Sequence, residues 1–203
     1  MIATMVDYGA GNLRSLRAAF ERAGAGVAVT DDPGQLAGAE LVVIPGVGQA
    51  AAAMEALRER GLVDAILTAL RGGAHLFGVC VGMQLLFARS EEGDTAGLGL
   101  LPGSATQLTG ARRLPHMGWN DVEPATAHPL CAAFPAPCYF AHSYAVQDAA
   151  PQCLLASTPV EGGAFASLVG EGRIAGAQFH PERSGADGAE FLRAVMRWAG
   201  DAA

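Results

Sequence analysis

The spacing of apolar and polar residues changes along this chain and divides it into two halves. In the first, IATMV (2–6), GVAVT (26–30), LVVI (41–44) and AHLFGV (74–79) are short apolar runs of strand length. Between the first two, Leu13, Leu16 and Phe20 recur at helical spacing up to about Ala23, where Gly24 closes the segment. Helices are predicted near 50–59 and 62–71, and another beginning at Val81. Strands alternating with helices predict a mostly parallel sheet covered on both faces.

From about residue 98 the pattern becomes a series of short β-like runs, WNDV (119–122), CYFAHSYAV (138–146), FASLVG (165–170) and RIAGAQF (173–179), broken by Pro and Gly. This half reads as antiparallel or mixed sheet added to an α/β core. A last helix is predicted over about 188–199, with Asp187 and Glu190 at capping-box spacing and Phe191, Leu192, Val195 and Trp198 available for burial. No repeat of fixed period and no low-complexity linker interrupts the chain.

Composition narrows the class. With 203 residues, 51% of them hydrophobic, the chain is long enough for one compact domain with a substantial core. Its net charge is −7, and its 13 basic residues, all arginine, form no cluster longer than Arg112-Arg113. That argues against a nucleic-acid or anionic-membrane surface. The opening MIATMVDYGAGN has no basic or apolar segment of signal-peptide type, and no apolar run approaches membrane-spanning length, so the expected place is the cytoplasm. Four cysteines, Cys80, Cys131, Cys138 and Cys153, form no C-x-x-C pair. Neither a zinc site nor a dithiol is expected, and in a reducing compartment all four are free thiols.

Cys80 stands apart from the other three. GVCVG (78–82) has the form G-x-C-x-G, the thiol version of a nucleophile elbow, at the point where a strand gives way to a helix. A sharp turn of that kind brings backbone segments so close that a Cβ two positions either side of the nucleophile would clash. A helix starting at Val81 would aim its free N–H groups at the sulfur and favour thiolate, and the Val81 amide could face an oxyanion. The alternative is a small buried core residue, which is how most free cysteines are used.

A thiolate needs a proton-handling partner. His75 begins an apolar strand and His128 precedes a proline in a turn, whereas His180 in AGAQFHPERSG ends an apolar strand with Glu182 two residues on. Pro181 pushes His180 toward extended backbone, in which residues i and i+2 point the same way, so Glu182 can hold the imidazole ring. Cys80 and His180 are both expected at carboxyl ends of strands, where sites form in open α/β sheets. A second oxyanion donor is expected from PGVG (45–48), through the Val47 and Gly48 backbone. That loop also opens a run of the form G-x-G-x-x-A, a loose dinucleotide fingerprint, but its acidic companion is missing, since Asp64 falls inside a predicted helix.

Taken together, the elbow, PGVG and QFHPERS resemble the class I (triad-type) glutamine amidotransferases over almost the whole chain. DYGAGNLRSL (7–16), LPHMGWN (114–120) and FAHSYAV (140–146) are further similar to the glutaminase subunits of imidazole glycerol phosphate synthase. The resemblance implies a flavodoxin-like fold forming one amidotransferase domain over residues 1–203. It implies a Cys80–His180–Glu182 triad that hydrolyses L-glutamine through a thioester, with no cofactor and no metal. It places Gly48, Gln84, His142, Ser143 and Tyr144 around the glutamine. It also implies a (β/α)8-barrel cyclase as heterodimer partner, with Asn12, Met117, Trp119 and Arg183 in segments that face it. Two departures from the family pattern are visible: Arg183 stands where Lys is common, and Gln49-Ala50 follow PGVG where a small residue and an aromatic are usual.

Three rival readings remain at this point: a glutaminase serving another synthase, a thiol hydrolase or peptidase that needs no partner, and an inactive scaffold docked on a synthase. LPHMGWN and DYGAGN weigh against the first, and the intact triad weighs against the last.

Overall fold

In the computed structural model, residues 1–134 and 136–200 are described. The elements, in chain order, are β1 (Ile2–Val6), α1 (Leu13–Arg22), β2 (Gly26–Thr30), β3 (Leu41–Ile44), α2 (Ala50–Glu59), α3 (Leu62–Arg71), β4 (His75–Val79) and α4 (Val81–Gln84). They continue with β5 (Phe87–Ser90), β6 (Thr95–Ala96), β7 (Leu101–Gln107), β8 (His116–Pro124), β9 (Ala136–His142), β10 (Tyr144–Ala145), β11 (Leu154–Val160), β12 (Gly163–Glu171), β13 (Ile174–Ala177) and α5 (Gly185–Gly200).

Nine strands form the main sheet in the order β2-β1-β3-β4-β13-β12-β11-β8-β9. The first five are mutually parallel, and β12, β11, β8 and β9 extend them in antiparallel fashion. A second sheet runs β10-β7-β5-β6. The α/β half and the β-rich addition expected from the residue pattern are both present. β3 and β4 are buried at every position, as parallel strands covered on two faces must be. Leu16 and Phe20 of α1 and Phe191, Leu192 and Val195 of α5 point into the core.

Several elements depart from expectation. The helix predicted to run on from Val81 is a single turn, after which the chain enters β5. Every residue from Val81 to Phe87 is buried, so periodicity has no exposed face by which to tell helix from strand. CYFAHSYAV is not one strand: β9 ends at His142 and β10 starts at Tyr144 in the other sheet, which turns Ser143 into the hinge between the two. α5 begins at Gly185, so Asp187 lies in its first turn and does not cap it, and Glu190 meets Arg193 and Arg197. β5, β6, β7 and β11 carried no strand signal strong enough to be predicted. Among the described residues, no helix is long and apolar enough to cross a membrane.

Candidate active site

Cys80 follows β4 directly, with φ 53° and ψ −109°. A side chain held at positive φ is strained by about 1–3 kcal/mol and persists only where its surroundings over-determine it. Here three glycines do so. A Cβ on Gly78 would collide with the Gly82 carbonyl, one on Gly82 with the Ile44 carbonyl, and one on Gly46 with the Gly82 nitrogen. Gly46 belongs to PGVG, so this loop and the elbow pack backbone against backbone. The Cys80 N–H donates to the Ala177 carbonyl at 2.7 Å, tying the elbow to β13.

The brevity of α4 corrects one expectation. A four-residue turn has no macrodipole to set against the sulfur, so that contribution falls away. What survives is local: Val81 opens the turn, so its N–H has no partner within it and is free to serve an oxyanion.

His180 lies three residues past β13, the parallel neighbour of β4. Its N–H donates to the Tyr139 carbonyl at 2.8 Å, and its Nδ1 is 3.0 Å from Glu182 Oε1, both side chains being almost wholly buried. The route by which Glu182 reaches the ring differs from expectation. Pro181–Arg183 form a 3-10 turn and not a continued strand, although His180 itself is extended, with φ −98° and ψ 97°. Proline's fixed φ suits the first position of such a turn, and the tight packing of Gly188 on the Pro181 carbonyl holds it there.

With Nδ1 occupied by Glu182, Nε2 is the ring nitrogen left to face the sulfur. Burial pushes the imidazole pKa down, but the hydrogen bonds to Cys80 and Glu182 and the charges of both outweigh it, and the pKa is raised to about 10. Glu182 moves the other way. Burial raises its pKa, but the hydrogen bond and charge of His180, then a hydrogen bond from Asn12, hold it below the usual carboxylate range. Asn12 Nδ2 donates to Glu182 Oε1 at 3.0 Å.

A cleft of about 590 Å³ opens over Cys80, bounded by Val47 and Gly48 on one side and Ala141 to Tyr144 on the other. Two anchors that sequence reasoning missed fix the ends of the PGVG loop. Tyr8 donates its hydroxyl to the Pro45 carbonyl at 2.6 Å, and Glu92 accepts from the Ala50 amide at 2.8 Å, capping α2. Gly48 lies between them at φ 91°, exposed. Gln84, on α4, is buried and donates from Nε2 to the Tyr144 carbonyl at 2.8 Å. Its Oε1 is buried without a protein partner.

His142 Nδ1 is 3.0 Å from the Tyr144 carbonyl, so that nitrogen carries the proton and Nε2 presents a bare lone pair. Burial, then the neighbouring His116, pushes its pKa down to about 3, so the ring stays neutral beside the cleft. All the residues expected around glutamine line one cavity with Cys80, His180 and Glu182.

Met117 and Trp119 alternate on β8 and are 64% and 57% exposed, unusual values for such large apolar side chains. The Trp119 ring meets Tyr139 edge-on, and the Arg183 guanidinium lies 4.0 Å from the centre of the same Tyr139 ring. Asn12 and Arg183 are also part of the cleft wall. The remaining candidates take structural places. His75 packs edge-on against Trp198, His128 Nδ1 accepts from the Leu130 amide, and Cys131, Cys138 and Cys153 are free and buried. Gly46, first in the dinucleotide-like run, is closed off by the elbow, and Asp64 lies in the first turn of α3. Among the described residues, no three His, Cys, Asp or Glu side chains are grouped to hold a metal ion.

Residues 4–197 match the family model described as glutamine amidotransferase class-I. A solved structure described as a glutamine amidotransferase superposes with a TM-score of 0.78 at 21% identity, covering 97% of this chain and 98% of its own, a likeness of fold. The fold and the family match define the class, a class I glutamine amidotransferase. The imidazole glycerol phosphate synthase subunit HisH of Symbiobacterium thermophilum is 45% identical over 96% of this chain and 91% of its own length. The HisH of Xylella fastidiosa, strain Temecula1, is 46% identical over 93% and 94%. The chain belongs to the HisH family of imidazole glycerol phosphate synthase subunits.

Proposed function

We propose that this chain is the glutaminase of an imidazole glycerol phosphate synthase, a single amidotransferase domain over residues 1–203. It works in the cytoplasm as a heterodimer with a (β/α)8-barrel cyclase, takes L-glutamine and needs no cofactor. The observation that carries this reading is the meeting of Cys80, His180 and Glu182 beyond the carboxyl ends of two adjacent parallel strands, in a cleft walled by His142 to Tyr144.

The cycle follows from the charges. The attacking species is the thiolate, the nucleophilic form of a cysteine, and His180, whose pKa is raised to about 10, holds a proton for the leaving nitrogen. A C–S bond forms at the side-chain amide carbon of glutamine, and the oxyanion is received by the Val81 N–H and by the backbone at Val47 and Gly48. One such donor is typically worth about 10²–10³ in rate.

As the C–N bond breaks, the Nε2 proton of His180 goes to nitrogen, which leaves as ammonia. Neutral His180 then takes a proton from water, the hydroxide attacks the thioester, and the C–S bond breaks to give glutamate, thiolate and imidazolium once more. Glu182 orients the ring and stabilises its charged form throughout. Gly48, Gln84, His142, Ser143 and Tyr144 hold the substrate, with the Gln84 Oε1 lone pairs free for a ligand N–H.

Ammonia let into water becomes ammonium, which is no nucleophile, so the product has to pass to the cyclase by a shielded path. The docking face is the one that presents Met117, Trp119 and Arg183, with Asn12 behind it. Uncoupled hydrolysis wastes glutamine, so the isolated chain is a poor glutaminase, activated when the cyclase binds its nucleotide.

Glutamate release measured for the chain alone, with cyclase, and with cyclase plus nucleotide tests both statements. We expect a low rate, then a rise on assembly and ligand binding, with none of it surviving in Cys80→Ser. Equal rates in all three conditions would defeat the switch. Sustained glutamate release by the Cys80→Ser complex would remove Cys80 from the role of nucleophile, and no glutamate release by the wild-type complex in any condition would falsify the glutaminase assignment itself.

A further inference from the structure

Between β13 and His180 lies one polar side chain that the cycle above does not use. Gln178 is wholly buried, at 0% exposure. Sheet register explains its place: Val79 pairs with Ala177 across β4 and β13, so the next residues out along the two strands are Cys80 and Gln178. Gln178 Nε2 lies 3.6 Å from Cys80 Sγ.

A chain of hydrogen bonds that starts at a backbone carbonyl fixes which end of this amide faces the sulfur. The Tyr144 carbonyl can only accept, so the Gln84 group 2.8 Å from it is the NH₂. The same NH₂ donates to Gln178 at 3.1 Å, so that contact is Oε1, and the Gln178 NH₂ is turned to Cys80.

The geometry points to Gln178 as a further catalytic residue, an N–H donor to the Cys80 sulfur that stabilises the thiolate before attack and again when the thioester C–S bond breaks. This role rests on Cys80 being the nucleophile. Its physical basis is the cost of burying an amide. A buried NH₂ without a good acceptor is expensive, and a thiol is a weak acceptor, whereas a thiolate is a charged and strong one. At the end of the Tyr144–Gln84–Gln178 chain, the Gln178 NH₂ therefore meets a strong acceptor only when the sulfur is ionised. It also ties the substrate-binding segment to the nucleophile, a connection no local motif reveals.

Alkylation of Cys80 by iodoacetamide, followed on the full chain through the Cys80-containing peptide, reads the thiolate independently of glutamine turnover. Gln178→Leu is expected to react about tenfold more slowly than wild type at pH 7, the effect of losing a donor to a charged acceptor. The two should react equally once the pH is high enough to ionise the thiol in both. Gln178→Glu, of nearly the same shape but with an acceptor facing the sulfur, should be at least as slow at pH 7.

In the assembled complex, kcat of both variants should fall, with KM within about twofold of wild type. Wild-type alkylation at pH 7 by folded Gln178→Leu overturns the role, and Gln178→Glu decides if the leucine variant does not fold. The two failures are distinguishable. If Cys80 is not the nucleophile, Cys80→Ser keeps its glutaminase activity. If only Gln178 is misassigned, Cys80→Ser is inactive while the Gln178 variants alkylate normally.

Discussion

Asn12 stands at the N-cap of α1 yet makes no side-chain cap; its Nδ2 instead donates to Glu182 Oε1 at 3.0 Å, across 170 residues of chain. Asparagine at an N-cap ordinarily satisfies a free helix N–H, worth about 1 kcal/mol. Here that interaction is forgone, and Asn12 Oδ1 is left buried without a partner. The bond goes to the oxygen that also holds His180, so Asn12 helps to keep the carboxylate ionised and in place. Asn12→Ala is therefore expected to melt close to wild type, having no cap to lose, while glutaminase kcat in the complex falls roughly tenfold, as for other bonds to a charged group. The low-pH limb of its rate profile should move toward neutral, because one of the contacts that depress the Glu182 pKa is gone. An unchanged limb with normal kcat would remove Asn12 from the relay.

Gly46 and Gly82 form one wedge-sensitive contact. A Cβ on Gly46 would strike the Gly82 nitrogen and sit 2.6 Å from the Val79 carbonyl, and one on Gly82 would strike the Ile44 carbonyl. Backbone cannot yield as a side-chain tip can, so each alanine substitution is expected to cost about 1–3 kcal/mol and to shift the proposed oxyanion donors along with Cys80. Because both wedges force open the same seam, the double variant should be less destabilised than the sum of the singles. Urea unfolding of the three variants tests this, and strict additivity would show that the two loops are not packed as one unit.

Much of this site could be read in the residues, for an identifiable reason. G-x-C-x-G and H-P-E are short because each reports a local backbone constraint: no room for a Cβ beside the elbow, and an extended residue before proline. Contacts that depend on sheet register were not legible. Gln178 meets Cys80 only because β13 lies beside β4, and Tyr8 meets Pro45 across 37 residues. The length of α4 was hidden for the opposite reason, since a segment buried on all sides carries no period. Glu182 was placed correctly beside His180 but by the wrong route, through a 3-10 turn that proline permits as readily as a strand.

The raised His180 pKa makes stability depend on alkaline pH. An unfolded histidine titrates near 6.5, and in the fold the value is about 10. A group raised in this way stabilises fully below the unfolded value, and the contribution is lost as pH climbs through the folded one. Wild type should therefore lose unfolding free energy between about pH 6.5 and 10. In Glu182→Gln the upper edge of that window should move down toward 6.5. For Glu182, whose pKa is depressed, the sign is reversed: its contribution holds above the unfolded carboxylate value and is lost as pH falls through the folded one. Chemical unfolding at a series of pH values separates the two limbs, and an alkaline limb identical in wild type and Glu182→Gln would mean the carboxylate does not support the imidazolium.

Trp119 offers a direct test of the docking face. Its ring is 57% exposed and leans edge-on against Tyr139, while Arg183 lies over that same tyrosine, so an aromatic, a cation and Met117 are gathered on one patch. Exposed tryptophans and arginines of this kind are the side chains that dominate binding energy when a partner covers them. Trp119→Ala removes little that the isolated chain buries, so its melting temperature should stay near wild type. Its affinity for the cyclase should fall by roughly 30-fold or more, the loss typical of a hot-spot aromatic. Arg183→Lys keeps the charge but loses the flat guanidinium that stacks on Tyr139, and should weaken the complex less than Trp119→Ala. Calorimetric titration of cyclase into each variant gives the answer, and a Trp119→Ala dissociation constant matching wild type would place the partner on another face.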